Sequence, residues 1–325
     1  MNAPINRIFV NDVALRDGFQ IEPVFIPTEK KISLINALSL TGLSKIEVTS
    51  FTSPTAIPAL ADAEAVMEGI ERAPGVIYTV LVPNMRGAHR ALRSHADELN
   101  LVMSVSETHN ISNLRMHRNQ SFAQLAEVVN YARTTKVLIN VSLSCSFGCP
   151  MEGEVPKDEV LHWAGQFVDL GVDGITLCDT TGMAYPSQVS KLCAAFGTHF
   201  NQTELTLHFH NTRGMGLANV LSAIDAGVRR FDASLGGLGG CPYAPGATGN
   251  ICTEDMVHML ELMSFDTGVD LNALLACARH LPHIVGHEVP GQIAKAGKIT
   301  DLHVPPSWFE EVASRAKEKE RSGYS

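Results

Sequence analysis

Short runs of β-branched and other apolar residues recur along the chain and alternate with stretches whose apolar positions repeat at helical spacing. The runs at 7–14, 45–49, 76–82, 98–104, 137–144, 174–178, 204–210 and 230–235 predict eight strands. Helical periodicity fills most of the gaps, at 28–40, 121–134, 158–170, 187–200 and 216–226. In the first of these, Thr28 is placed to cap the first turn, and Ile32, Leu34, Ile35 and Leu38 supply an inward face. Eight strands alternating with helices over short connections favour a closed parallel (β/α)8 TIM barrel of the α/β class. An open doubly wound sheet is the alternative, and the absence of a Gly-x-Gly-x-x-Gly turn after the first strand counts against it. Beyond the eighth unit, helical patterns at 253–263 and 272–280 lead into a polar tail rich in Lys, Arg and Glu at 315–321, read as a solvated helix or frayed terminus. No Pro- or Ser-rich linker divides the chain. The expectation is one domain, with the barrel at about 7–265 and a C-terminal helical extension at about 266–325.

Composition narrows the function classes. The net charge of −9 and the lack of any long Lys/Arg block argue against a nucleic-acid surface, so a phosphate-bearing substrate needs a local basic patch. No run reaches the roughly 18 apolar residues of a membrane span, and the first ten residues do not read as a signal peptide or presequence. Seven cysteines without a zinc-ribbon pattern suit a reducing compartment, and the cytoplasm is the expected location.

Functional groups of such a barrel sit at the C-terminal ends of its strands. Strand one ends in Leu15-Arg16-Asp17-Gly18-Phe19-Gln20, in which Asp17 offers a hard oxygen ligand and Arg16 a permanent cation; a structural ion pair is the other reading. Strand seven ends in Leu207-His208-Phe209-His210-Asn211. Side chains alternate along a strand, so His208 and His210 share a face and can reach one ion, or simply hydrogen-bond each other. A carboxylate with imidazoles suits Mg²⁺ or Mn²⁺, and less well Zn²⁺ or Co²⁺. After strand eight runs the glycine-rich segment from Gly237 to Asn250, able to close over a ligand. In it Cys241 is a candidate acid or base unless it is incidental, and Asn250 can give a neutral oxygen to a metal. Glu47 and Asp179, at the ends of strands two and six, could orient Arg16, take a substrate proton, or form barrel-mouth salt bridges. Cys145 and Cys149 lack partners for a tetrahedral zinc set and read as structural or redox-sensitive thiols.

Together these segments resemble the 3-hydroxy-3-methylglutaryl-CoA lyase branch of the metal-dependent lyase and synthase barrels, over about 7–272. The resemblance rests on Arg-Asp-Gly-x-Gln, Ile-Glu-x-Thr-Ser-Phe, Ser-Cys-x-x-Gly-Cys-Pro, His-x-His and Gly-Leu-Gly-Gly-Cys-Pro-Tyr-Ala with its Gly-Asn ending, in family order and spacing. It implies Asp17, His208, His210 and Asn250 as metal ligands, with His208 also catalytic, Arg16 stabilising an enolate, and Cys241 as a loop thiol active in proton transfer. Glu47 and Asp179 would be supporting carboxylates. It further implies an acyl-CoA substrate, retro-Claisen cleavage to acetyl-CoA and a 3-keto acid, and a homodimer or higher homo-oligomer. Related synthases resemble a different opening motif, with Glu where this chain has Phe19, and lack the Gly-Gly-Cys-Pro loop, which favours cleavage over Claisen condensation. A silent acyl-CoA-binding barrel is a further alternative. The chain departs from the family pattern at Pro23, at Asn140 and Ser142, and at Asn211-Thr212-Arg213, near the acyl and CoA sites, which leaves the acyl substituent open.

Overall fold

A computed structural model describes residues 6–240 and 249–323. Its eight strands are β1 (Phe9–Asp12), β2 (Lys45–Ser50), β3 (Ile77–Val82), β4 (Glu98–Ser104), β5 (Leu138–Ser144), β6 (Gly174–Asp179), β7 (Glu204–Phe209) and β8 (Arg230–Ala233). All pair in parallel and in chain order, and β8 returns to β1, so the sheet closes into a barrel. The open-sheet alternative is excluded by that pairing.

The surrounding helices are α1 (Thr28–Ser39), α2 (Ala63–Gly69), α3 (Met85–Arg93), α4 (Glu107–Leu114), α5 (Arg118–Ala132), α6 (Lys157–Asp169), α7 (Pro186–His199), α8 (Gly216–Asp225), α9 (Thr253–Leu262) and α10 (Leu271–Val285). They are followed by the short α11 (Ile293–Ala296) and by α12 (Phe309–Arg321). On α1, Leu34, Ile35 and Leu38 face the barrel as their spacing requires. Thr28 does not cap that helix: the N-cap is Pro27, and the Thr28 hydroxyl donates to Asp62 Oδ2 at 2.7 Å instead. Helices α2 to α4 lie outside the predicted periodic stretches; α3 and α4 start with side-chain caps from Asn84 and Ser106.

Strand alternation divides the barrel into two environments. Val10, Ile46, Val80, Leu99, Val141, Ile175, Leu207 and Phe231 are fully buried in the apolar core that includes the helices. The residues between them turn inward and are polar: Asn11, Glu98, Asn100, Asn140, Thr176 and Asp232 line the interior. Deep in it Lys45 Nζ donates to both oxygens of Glu98, at 2.6 and 2.7 Å. An interior of this kind is held by paired charges and side-chain amides, and those groups lead up to the barrel mouth.

The compact body containing the barrel runs to Lys295, because α10 packs on α1 and α9 through buried Leu271, Leu274, Leu275, Ala278 and Leu281. A second unit begins at Ala296. Its helix α12 has Glu310 and Glu311 in the first turn and Lys319 and Arg321 in the last, matching the helix dipole, with an Arg315–Glu311 ion pair between them. No helix among the described residues is long and apolar enough to cross a membrane.

Glu254, fully buried on α9, ties the barrel rim to the following chain. Its Oε2 accepts from the Gly236 N–H at 3.1 Å, and the Gly236 carbonyl accepts from Gly291 N–H at 2.9 Å. Burial lifts this carboxyl to about 7. The stabilisation from keeping it neutral is complete below its ordinary value of 4.5 and is lost as pH rises through about 7. Glu254→Gln is therefore expected to flatten the fall in stability between about pH 4.5 and about pH 7, by roughly 1–3 kcal/mol. Urea unfolding of both proteins across that range checks this; parallel pH profiles would assign the titration elsewhere.

Candidate active site

The chain leaving β1 forms a single π-helical turn, Ala14–Gly18, in which the Val13 carbonyl accepts from the N–H groups of Arg16, Asp17 and Gly18. Such a turn is wider than an α-turn and recurs at functional sites. Here it turns two consecutive charged side chains, Arg16 and Asp17, into the barrel mouth. A Cβ at Gly18 would lie 2.9 Å from the Leu238 Cβ, so this turn can approach the 235–240 segment only with glycine there.

At the far side, β7 presents His208, and His210 follows just beyond its end. Their Nε2 atoms face each other at 3.2 Å, and Asp17 Oδ2 lies 3.8 Å from His210 Nε2. One ligand atom from each of Asp17, His208 and His210 falls within 4.8 Å of the others, and this is the one such group of three or more metal-ligating residues among the described residues. Asn250 is brought beside them by chain pairing: Asn211 N–H donates to the Gly249 carbonyl and Ile251 N–H to the Phe209 carbonyl, with a bridge between His210 and Asn250. Asn250 Nδ2 donates to Asp17 Oδ2 at 2.7 Å and to the Leu238 carbonyl at 2.9 Å. Its Oδ1 is buried and has no hydrogen-bond partner among the described residues. Gly239 crosses directly over this contact with φ +119, where a Cβ would fall 2.4 Å from Asn250 Nδ2 and 2.9 Å from Asp17 Oδ2.

This donor set fits a divalent ion. It offers one carboxylate, two imidazole nitrogens aimed at a common point, and an amide oxygen left without a donor. The electrostatics agree. Burial alone would raise the Asp17 carboxyl, but Arg16 and the two histidines hold it at about 2, so it stays charged. Burial and the adjacent His208 push His210 down to about 4, leaving a neutral imidazole able to donate a lone pair. Burial also opposes charge on His208, yet Asp232 and Asp17 raise it above the ordinary value.

Arg16 is fixed from two sides, by Glu47 Oε2 to Nε at 2.6 Å and by Asp17 Oδ1 to Nη1 at 2.6 Å. Against the lowering effect of burial, these two carboxylates hold the guanidinium firmly protonated. Glu47 is held in turn by Asn100 Nδ2 at 2.8 Å, and Asn100 Oδ1 accepts from Ser142 Oγ at 2.8 Å and Asn140 Nδ2 at 3.0 Å. Glu47 thus reaches Arg16. Asp179 does not line this cavity: its Oδ1 accepts from the backbone N–H groups of Met183 and Ala184, shaping the loop after β6, and burial lifts its carboxyl to about 6. The inward residue of that strand is Cys178, one place earlier.

The resulting cavity measures about 380 Å³ and is lined by Arg16, Asp17, His208 and His210 together with the apolar Ile57, Pro83, Val102 and Leu114. Asp232, Asn100, Cys178 and His109 also line it, and the sequence reading singled out none of them. The signal was present for Asp232: in Arg230-Phe231-Asp232-Ala233, Phe231 must face the core, which turns Asp232 inward. Cys241 lies outside the described residues. Cys149 is buried below the loop after β5; Cys145 beside it, together with the Ser106 hydroxyl at 3.1 Å, outweighs burial and lowers its thiol to about 5. Arg213 is spent on the Thr181 and Gly182 carbonyls, and Pro23 is exposed.

The chain is similar to known proteins over most of its length. The HMGL-like family pattern matches residues 7–281. A hydroxymethylglutaryl-CoA lyase of Bacillus subtilis is 44% identical over 286 residues, covering 88% of this chain and 96% of its own length. The (R)-citramalyl-CoA lyase of Chloroflexus aurantiacus is 36% identical over 305 residues, with 91% and 96% covered. Among solved structures, an HMG-CoA lyase from Acinetobacter baumannii in complex with coenzyme A and 3-methylmalate is 51% identical with a TM-score of 0.90, covering 94% of this chain and all of that one. With the family pattern spanning most of the chain and relatives this similar over nearly their whole lengths, the protein belongs to the HMGL-like family of carbon–carbon lyases.

Proposed function

We propose that this protein cleaves a 3-hydroxy-3-methylglutaryl-CoA-like thioester to acetyl-CoA and acetoacetate by a retro-Claisen reaction. The observation that carries the reading is the convergence of Asp17, His208 and His210 directly beside a guanidinium pinned by two carboxylates. Asp17, His208, His210 and Asn250 would hold Mg²⁺ or Mn²⁺, a choice favoured by the oxygen and imidazole donors. When bound, the ion supplies Lewis acidity toward the substrate's hydroxyl and carboxylate oxygens.

The chain's own groups account for the rest. Loss of the C3 hydroxyl proton to solvent allows the C3 ketone to form as the C2–C3 bond breaks. The electron pair moves onto the thioester as an enolate, and Arg16, held rigidly by Glu47, meets the charge that develops on its oxygen. Cys241 returns a proton to C2. The six cysteines among the described residues are free and buried, which supports a reducing location such as the cytoplasm. We also place the protein in a homodimer or higher homo-oligomer, by the family likeness alone.

The test is to supply Mg²⁺ or Mn²⁺ and 3-hydroxy-3-methylglutaryl-CoA and to assay acetoacetate, alongside His208→Ala and Cys241→Ala. Unimpaired activity in both variants would overturn the site assignment. A second reading concerns the acyl group. Ser142, small and inward, lines the cavity, and one relative is a citramalyl-CoA lyase. A C3-substituted series is expected to show kcat/KM within about tenfold between the methyl compound and a bulkier one, on the scale of a methylene in a tolerant pocket. A strong preference for the methyl compound would remove that reading.

A further inference from the structure

One carboxylate in the cavity has no place in the ligand set or in the steps above. Asp232 sits on β8 between two neighbours at matched register: His208 of β7 on one side and Asn11 of β1 on the other. Its Oδ2 lies 3.4 Å from His208 Nδ1, and its Oδ1 accepts from Asn11 Nδ2 at 2.8 Å. Asn11 is buried, so the carboxylate is held by the barrel wall and cannot swing to a second position without losing that bond. The Nδ1 side of the ring thus faces an acceptor while Nε2 faces His210 and Asp17.

A neutral imidazole carries its proton on either nitrogen, and only the unprotonated one can donate to an ion. An acceptor placed against Nδ1 selects the tautomer with a free Nε2 and fixes the ring plane. His210 has no such device: its Nδ1 is buried without a hydrogen-bond partner among the described residues, and its position follows from the bridge to Asn250. We infer that Asp232 is a positioning residue for the metal site, setting the tautomer and orientation of His208 so that its Nε2 is presented to a divalent cation, with Asn11 anchoring the carboxylate. This rests on the metal reading proposed above.

The test uses the full chain and Mn²⁺ alone, with free ion counted by electron paramagnetic resonance. Asp232→Ala removes both acceptor and charge and is expected to raise the Mn²⁺ dissociation constant by about 10–100-fold. Asp232→Asn is nearly isosteric. Its oxygen can still face His208 if the Asn11 amide turns over, which Asn11 Oδ1 permits since it has no partner to lose among the described residues, so the rise is expected to be smaller. If the alanine protein does not fold, the asparagine protein carries the comparison. Long-range ¹⁵N–¹H spectra of the histidine-labelled, metal-free protein, with His208 identified by its loss in His208→Ala, are expected to place the proton on Nδ1 in the unsubstituted chain and to lose that preference in Asp232→Ala. A dissociation constant within about twofold of the unsubstituted value in every folded variant would overturn the role of Asp232 and leave the metal site standing. So would an Nε2–H tautomer in the unsubstituted chain. Absence of Mn²⁺ binding by the unsubstituted chain would overturn both.

Discussion

Asp17→Ala is expected to weaken Mn²⁺ binding at least about 100-fold and to lower kcat by roughly 10³-fold or more, the magnitude of losing charged stabilisation at a reacting centre. Asp17 is the only anionic member of the proposed ligand set, and at about 2 its carboxyl keeps its charge through the whole working range. His210, at about 4, is already neutral near pH 7. The remaining titratable ligand is His208, raised above its ordinary value by Asp232 and Asp17 against the effect of burial. Since a protonated imidazole cannot bind an ion, Mn²⁺ affinity should weaken as pH falls into and below the range where His208 gains its proton. The alanine variant keeps the Arg16–Glu47 contact, so the fold retains its anchor at the barrel mouth. Calorimetric titration across pH, with steady-state rates, checks both parts. Retention of affinity within about tenfold in Asp17→Ala would mean that the carboxylate serves Arg16 rather than an ion.

The barrel was legible because its strands obey one physical rule: each core-facing residue must be apolar, and the helices between them repeat their own apolar face. All eight strands fall within two residues or so of the sequence reading, and β4 coincides with it. Helices α2, α3 and α4 escaped it. Each is short, and α3, with Arg86, Arg90 and Arg93 on nine residues, buries only Gly87, Ala88 and Ala91, a face too small to register as apolar periodicity. The same limit explains Thr28, where residue type suggested a cap but Asp62, distant in sequence, took the hydroxyl.

For the site, local alternation placed His208 and His210 on one face, and the geometry in space follows from that. Asp179 shows where alternation had to be applied more strictly. Leu177 faces the core, so Cys178 turns inward and Asp179 outward to the loop backbone. Asp232 was missed because a lone carboxylate between a Phe and an Ala carries no motif; alternation turns it inward, but only the register of β7, β8 and β1 makes it a neighbour of His208. The polar relay through Glu47, Asn100, Ser142 and Asn140 likewise depends on three different strands, β2, β4 and β5, meeting inside the barrel, which no single segment reveals.

Arg16→Met separates the two things that Arg16 does. Without the guanidinium, Glu47 is left buried with Asn100 as its remaining donor, and removing one partner of a buried ion pair costs about 3–5 kcal/mol. Loss of the cation that meets the enolate charge is expected to lower kcat by roughly 10³-fold. Mn²⁺ affinity, by contrast, should hold or improve, because a positive charge 2.6 Å from Asp17 Oδ1 is gone. Adding Glu47→Gln removes the stranded charge while keeping an oxygen for Asn100, so the double variant is expected to recover most of the lost stability and none of the activity. Urea unfolding, Mn²⁺ titration and acetoacetate release on the two single variants and the double variant complete the cycle. Recovery of rate together with stability in Arg16→Met/Glu47→Gln would reduce Arg16 to a support of the fold. Recovery of stability alone leaves it facing the substrate, since the reaction then lacks a charge that the rest of the cavity does not replace.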